Sequence, residues 1–272
     1  MQQAVRTVLA LAVLATASLA AQAHVTLASD SATYTQNFNS LTTSTSSQSF
    51  VNDTTLAGWS LFNASGAAIG TYAADNGGSN AGSFRSYGAT GTADRAFGAV
   101  TSGGAYFGSP ASGAIAGYMA LALDNSSGKV LDSLTLSFSS EQWRNGGNTS
   151  AQSAVLQYGF GSSFGAVASW TAAGSSFNLG SPVIGSTAAT VDGNGAGHIG
   201  GLGGTLSDLD WASGQTLWLR WQYTNNVGND HGLAIDDLSL QVAAAPVPEP
   251  ASVVLMLAGL GAVVASRRRS RR

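Results

Sequence analysis

The sequence contains no cysteine, which excludes a disulfide framework and any thiolate metal site. Stability therefore has to come from packing. Charge is scarce too: Asp, Glu, Lys and Arg make up 9% of the residues, against about 25% in ordinary soluble domains. The surface must be covered by Ser, Thr, Asn, Gln and Gly instead. Six of the eleven basic residues lie at the two ends (Arg6, Arg267, Arg268, Arg269, Arg271 and Arg272), so residues 24–245 hold five against thirteen acids, a net of −8. Without clustered Lys and Arg to neutralise phosphates, nucleic acid is excluded as a partner.

The signatures of common enzyme classes are missing as well. There is no H-E-x-x-H, no phosphate loop, no paired metal-binding His spacing and no G-x-S-x-G elbow between a strand and a helix. The three histidines, His24, His198 and His231, lie far apart in sequence. Gly195 to Gly197 and Gly200 to Gly204 lack the strand, helix and acidic residue of a nucleotide fingerprint. The chain is therefore expected to be non-enzymatic and to need no cofactor, with Ca²⁺ the one ion left open.

What is present is most explicit at the ends. Arg6 is followed by an apolar run from Thr7 to Ala21 that closes in Ala21-Gln22-Ala23. This reads as a secretory signal peptide over residues 1–23 with an A-x-A cleavage site at Ala21 and Ala23, leaving His24 first in the mature chain. At the other end Pro248-Glu249-Pro250 precedes an apolar run from Ala251 to Ser266 and a terminal cluster containing Arg267, Arg268 and Arg269. As a helix that run reaches about 24 Å, short of a hydrocarbon core of about 30 Å, so it spans only with snorkelling flanks or local thinning. The arginines should stay cytoplasmic and act as a basic anchor in the inner membrane.

Pro-Glu-Pro, a short apolar helix and terminal arginines, in that order over Val247 to Arg272, resemble the PEP-CTERM sorting signal of Gram-negative bacteria. The resemblance implies that Pro248, Glu249 and Pro250 are recognised by exosortase, a multi-spanning membrane enzyme resembling a cysteine protease. It further implies export through the inner membrane, anchoring, then release to the cell surface or beyond. Such substrates are often linked to exopolysaccharide and biofilm matrix. The resemblance assigns no activity to residues 24–245.

Between the ends, short runs rich in Val, Leu, Ile, Thr and aromatics alternate with Gly, Ser and Asn clusters, the pattern of strands separated by turns. Leu134, Leu136 and Phe138 alternate with polar residues, as do Leu217, Leu219 and Trp221. Each set should bury one face of its strand and leave the other wet. About ten such strands, among them Ala105 to Phe107, Val130 to Glu141 and Leu233 to Val242, predict an all-β fold: one antiparallel β-sandwich of jelly-roll type over residues 24–245. Leu41 to Ser49 and the Gly/Ser-rich stretch from Gly174 to Gly204 are expected as surface loops. The blocks Ser140 to Gly147, Trp218 to Trp221 and Asp230 to Leu240 resemble segments of lectin-like or carbohydrate-binding jelly-roll domains of bacterial surface proteins.

Two clusters could carry chemistry. Asp230, Asp236 and Asp237 stand at the entrance to the last strand, where carboxylates and loop carbonyls could hold Ca²⁺. The alternative is structural: Asp230 caps a turn, and one of the adjacent pair bonds backbone amides or Arg144 or Arg220 inside the sandwich. Glu141 and Trp143 share a strand face, with Arg144 expected on the other. An exposed Trp beside a carboxylate could stack and hydrogen-bond a sugar. A buried Trp covering the core is the competing arrangement. A glycan hydrolase would need a second acid facing Glu141 across a cleft. Asp75 to Asn80 and Asp192 to Gly195 lack the spaced acids of a calcium loop and read as turns.

Overall fold

The structure, a computed structural model, describes residues 24–245. The signal-peptide residues Ala21 and Ala23, the motif Pro248-Glu249-Pro250 and the basic residues Arg267 to Arg269 lie outside the described residues. Among the described residues no helix is long and apolar enough to cross a membrane.

The chain first lays down β1 (Val25–Leu27), β2 (Thr33–Gln36), β3 (Gln48–Ser49), β4 (Trp59–Asn63), β5 (Thr71–Asp75), β6 (Ser83–Tyr87) and β7 (Ala96–Val100). The long strands β8 (Ile115–Asn125), β9 (Leu131–Asn145) and β10 (Ser153–Phe160) follow. Three short strands come next, β11 (Thr171–Ala172), β12 (Leu179–Gly180) and β13 (Ala189–Thr190), before β14 (His198–Leu206), β15 (Thr216–Thr224) and β16 (Gly232–Ala244). One sheet has the order β1-β8-β15-β10-β11, with β4 also on β8 and β12 on β10. The other runs β13-β9-β16-β7-β6-β5-β3, with β14 also on β9 and β2 on β16. From β7 to β10, and again from β14 to β16, successive strands alternate between the sheets. That winding is the jelly-roll sandwich the sequence predicts.

Period-two burial produces the core. Leu134, Leu136 and Phe138 of β9 face Leu217, Leu219 and Trp221 of β15, and all are buried. Trp59 and Trp221 stack at 5.7 Å with Phe138 edge-on to Trp221 at 5.8 Å. These rings supply the apolar mass that disulfides do not.

Three expectations fail, each for a local reason. Ala105–Phe107 is a turn of 3-10 helix that puts Phe107 against Phe84, not a strand. The glycine-rich stretch is not all loop: β14 pairs with β9 through a register shift between Ile199 and Leu202. A Cβ on Gly203 (φ +119°) would lie 2.1 Å from the Leu136 carbonyl, so glycine there is what allows the two backbones to pair. Finally, the outer face of β15 is only partly wet: Thr216, Arg220, Gln222 and Thr224 are half-buried and Trp218 is covered. Trp218 is buried with Tyr118, Ala120 and Ala122 beneath Phe164, because the loop after β10 folds over the smaller sheet.

Candidate functional site

The larger sheet carries the polar chemistry on its outer face. Glu141 on β9 is opposite Ala234 on β16, and Asp236 is opposite Ser139, so the two carboxylates point the same way from adjacent strands. Both are buried, at 2% and 4% exposure. Burial pushes the Glu141 carboxyl up to about 7, the Trp143 hydrogen bond opposing it and the charges of Asp94, Asp237 and Asp192 adding to it. Burial likewise pushes Asp236 up to about 8, opposed by the Asp237 amide and reinforced by the charge of Glu141. The pair can hold protons near neutral pH.

It does not open onto a cleft. Trp143 Nε1 donates to Glu141 Oε2 at 2.8 Å, and the Trp143 ring stacks on Tyr87 with an interplanar angle of 4°. Above it, residues 191–197 form a strap. The Val191 amide donates to the Trp143 carbonyl, the Gln142 amide to the Gly197 carbonyl, and Asn194 Nδ2 to Asp94 Oδ2. Gly193 passes so close that a Cβ there would lie 2.3 Å from the Trp143 indole. Glu141 and Trp143 thus pair as the sequence suggests, yet Trp143 is 3% exposed and offers no face for a sugar to stack on. The ring is buried, but on the outer face with Tyr87, Ala96 and Ala234 and not over the core.

The three aspartates weighed as calcium ligands do not converge. Asp230 Oδ1 accepts from the Asn226 amide and Asn226 Nδ2 in the turn before β16. Asp236 lies under the outer face, and Asp237 (φ +50°) is exposed at a bulge where the register shifts between Asp236 and Ser239. That bulge lets Leu238 take the next core position, so neither Asp236 nor Asp237 enters the core. Among the described residues no group of three His, Cys, Asp or Glu side chains could hold a metal. Asp75 closes β5 and Asp192 leads into a turn, accepting from the Gly77 and Asn194 amides respectively. His231 is buried, with Nδ1 accepting from the Gly146 amide, and burial lowers its pKa.

One residue beyond Trp143 the environment changes. A register shift where Arg144 pairs with Gly232, and Gln142 with Leu233, breaks the alternation. Arg144 consequently stays on the outer side with Trp143: a Cβ at Gly232 would lie 3.1 Å from Arg144 Cβ and 2.6 Å from the Tyr87 hydroxyl. This corrects the expectation that Arg144 takes the opposite face. Arg144 reaches the end of the sandwich, where it lines an open cavity of about 230 Å³ with Asn80, Ser102, Asn225, Asn229 and Asp230. The wall comes from loops that are remote in sequence, which is why the sequence alone does not reveal it. The cavity suits a ligand read through hydrogen bonds; no aromatic ring lines it.

Fold and site together define an all-β sandwich with a polar cavity at one end and a sealed acidic pair on one face. Residues 246–272 match the model of the PEP-CTERM protein-sorting motif. The chain therefore carries a sorting signal of the kind that implies export and membrane-anchored processing by exosortase in Gram-negative bacteria. No curated protein matches the chain. Among solved structures, the CBM22-1 xylan-binding domain of Paenibacillus barcinonensis Xyn10C aligns at 10% identity with a TM-score of 0.34, covering 80% of this chain and 99% of that one. A likeness at that level carries no argument about ligand.

Proposed function

We propose that this is an exported, exosortase-processed protein of the cell surface or extracellular matrix, whose sandwich binds exopolysaccharide without cleaving it. The carrying observation is the sorting motif at residues 246–272, which follows directly on a sandwich whose last strand ends at Ala244. Removal of the leader and of the tail would leave the sandwich outside the cell with its end cavity free. Two features support binding over hydrolysis. The open cavity holds amides, a guanidinium and one carboxylate, the groups that hydrogen-bond sugar hydroxyls. The paired acids that hydrolysis needs, Glu141 and Asp236, are both buried, and Glu141 is held by the Trp143 indole beneath the strap.

The test is affinity electrophoresis of the exported protein in gels cast with bacterial exopolysaccharides, with calcium and with EDTA, alongside a reducing-end assay. Retardation that EDTA leaves unchanged, with no new reducing ends, is expected. Migration unaffected by every polysaccharide would overturn the binding reading. Reducing ends that disappear in Glu141→Gln would replace it with a hydrolase.

A further inference from the structure

We propose that the end cavity is the subsite for a uronate residue of an acidic polysaccharide, its carboxylate taken by the Arg144 guanidinium. The proposal rests on the polysaccharide-binding reading and names the sugar chemistry of that same site. It starts from an unpaired buried cation. Arg144 is 9% exposed, and its Nη1 donates to the carbonyls of Gly77 and Gly78 at 3.1 Å. Its Nε is buried and has no partner, so the group left for a carboxylate is Nη2, which makes no hydrogen bond among the described residues. The ion pairs among the described residues are His24 with Asp124, Arg85 with Asp75 and Lys129 with Asp30; Arg144 belongs to none. A buried charge is normally paired, and a guanidinium left with carbonyls alone is poised for an anion.

The nearby bases are engaged elsewhere: Asp75 accepts from the Gly77, Gly78 and Ser79 amides and pairs with Arg85. The Tyr87 hydroxyl near Arg144 is buried and does not line the cavity, and burial holds that phenol far above its ordinary range, so it keeps its proton and puts no negative charge beside the guanidinium. Asp230 has one oxygen occupied by Asn226, and burial raises its pKa, which weakens it as an internal rival for the guanidinium. A separate cavity of about 160 Å³, lined by Arg95, shows the contrast. Arg95 Nε and Nη2 both donate to Ser86, so its Nε has the partner that Arg144 Nε lacks.

Shape and charge narrow the ligand. A planar carboxylate matches the guanidinium fork better than a tetrahedral anion does. At about 230 Å³ the cavity lies below the range of about 300–1,000 Å³ for drug-sized sites, so it takes one sugar ring and leaves the rest of the polymer on the rim. The net charge of −8 over residues 24–245 gives a polyanion no general attraction. One localised cation must then supply the recognition, and removing it should abolish binding where removing one charge from a diffuse basic surface would only weaken it.

The experiment compares polygalacturonate with its carboxyl-reduced form and with a sulfated galactan, titrated into the exported protein by calorimetry. Polygalacturonate should bind at least about tenfold more tightly than either of the others, a difference of about 1.4 kcal/mol. Arg144→Gln should lose that preference. Because Arg144 also holds two carbonyls, another variant guards against misfolding. The Asn229 side chain makes no hydrogen bond among the described residues, so Asn229→Asp should leave the melting temperature within about 2 °C. It should nevertheless repel the uronate, weakening polygalacturonate about tenfold while sparing neutral polymers. Equal binding of polygalacturonate and its reduced form, preference for the sulfated polymer, or indifference to Asn229→Asp would each overturn the uronate assignment and leave polysaccharide binding standing. Binding of none of the three, nor of any exopolysaccharide, would remove both.

Discussion

Trp143 and Arg144 are neighbours on one strand, yet Trp143 is roofed by a strap while Arg144 borders an open cavity. The difference comes from a single bulge. Where β9 keeps its alternation, Glu141 and Asp236 are driven against loops that close over them, and their chemistry turns inward to stability. Where the alternation breaks, a cationic side chain is delivered to the end of the sandwich, with loops remote in sequence around it. Buried polar groups on one sheet face can thus belong to two different jobs. Whether the remaining partner is protein or ligand separates them: Glu141 has the Trp143 indole, and Arg144 Nε has nothing.

The hardest way to break this contrast is to remove the lid's support. Trp143→Ala should cost about 3–5 kcal/mol, because it deletes a buried ring and strips Glu141 of its donor. Urea unfolding would show it as a lower midpoint. Below that midpoint the end cavity should still bind its ligand, since Trp143 does not line it. A smaller disturbance is Gly193→Ala, whose methyl would meet the Trp143 ring at 2.3 Å. It should cost about 1–3 kcal/mol and red-shift tryptophan emission as the strap lifts. An unchanged emission spectrum would mean that the strap does not seal the ring.

The pH dependence sharpens the same contrast. Glu141 and Asp236 have folded pKa values of about 7 and about 8, above their ordinary values of 4.5 and 3.8. The folded state therefore holds protons that the unfolded chain releases. Their contribution is full below about pH 4 and is lost as pH rises through the folded values of about 7 and about 8. Melting temperatures should accordingly fall between about pH 5 and pH 9, by about 2–4 °C for each kcal/mol lost. Asp236→Asn should flatten that slope and be more stable than the parent at about pH 9. A steeper slope in the variant would place the proton elsewhere. The smallest stability effect should come from Asn229→Ala, within about 0.5 kcal/mol, with its consequence confined to ligand binding.

The core was legible because it obeys period two. Leu217, Leu219 and Trp221 announce their face, and the final strand differs from expectation at its ends, beginning at Gly232 and extending to Ala244, and at the bulge by Asp237. Legibility ended where the chain departs from that period or where loops decide burial. The glycines of β14 resemble those of a loop, since positive φ and close strand approach use the same residue. Trp143 could have been a platform or a covered ring, and only the strap over it decides between them. The aspartates near residues 230–237 form one cluster in sequence; the bulge at Asp237 and the turn bond of Asp230 to Asn226 send them to different places. The cavity was the least legible feature, because Asn80, Ser102, Arg144 and Asn229 meet only in three dimensions.

The central claim is that the end cavity takes the ligand and the sealed acidic pair does not. Amide and indole chemical-shift mapping of the exported protein with a galacturonate oligosaccharide tests it directly. The account predicts shifts at Asn80, Ser102, Arg144 and Asn229, with the Trp143 indole unmoved. Shifts centred on the Trp143 indole and the 191–197 strap, with the cavity residues silent, would contradict it.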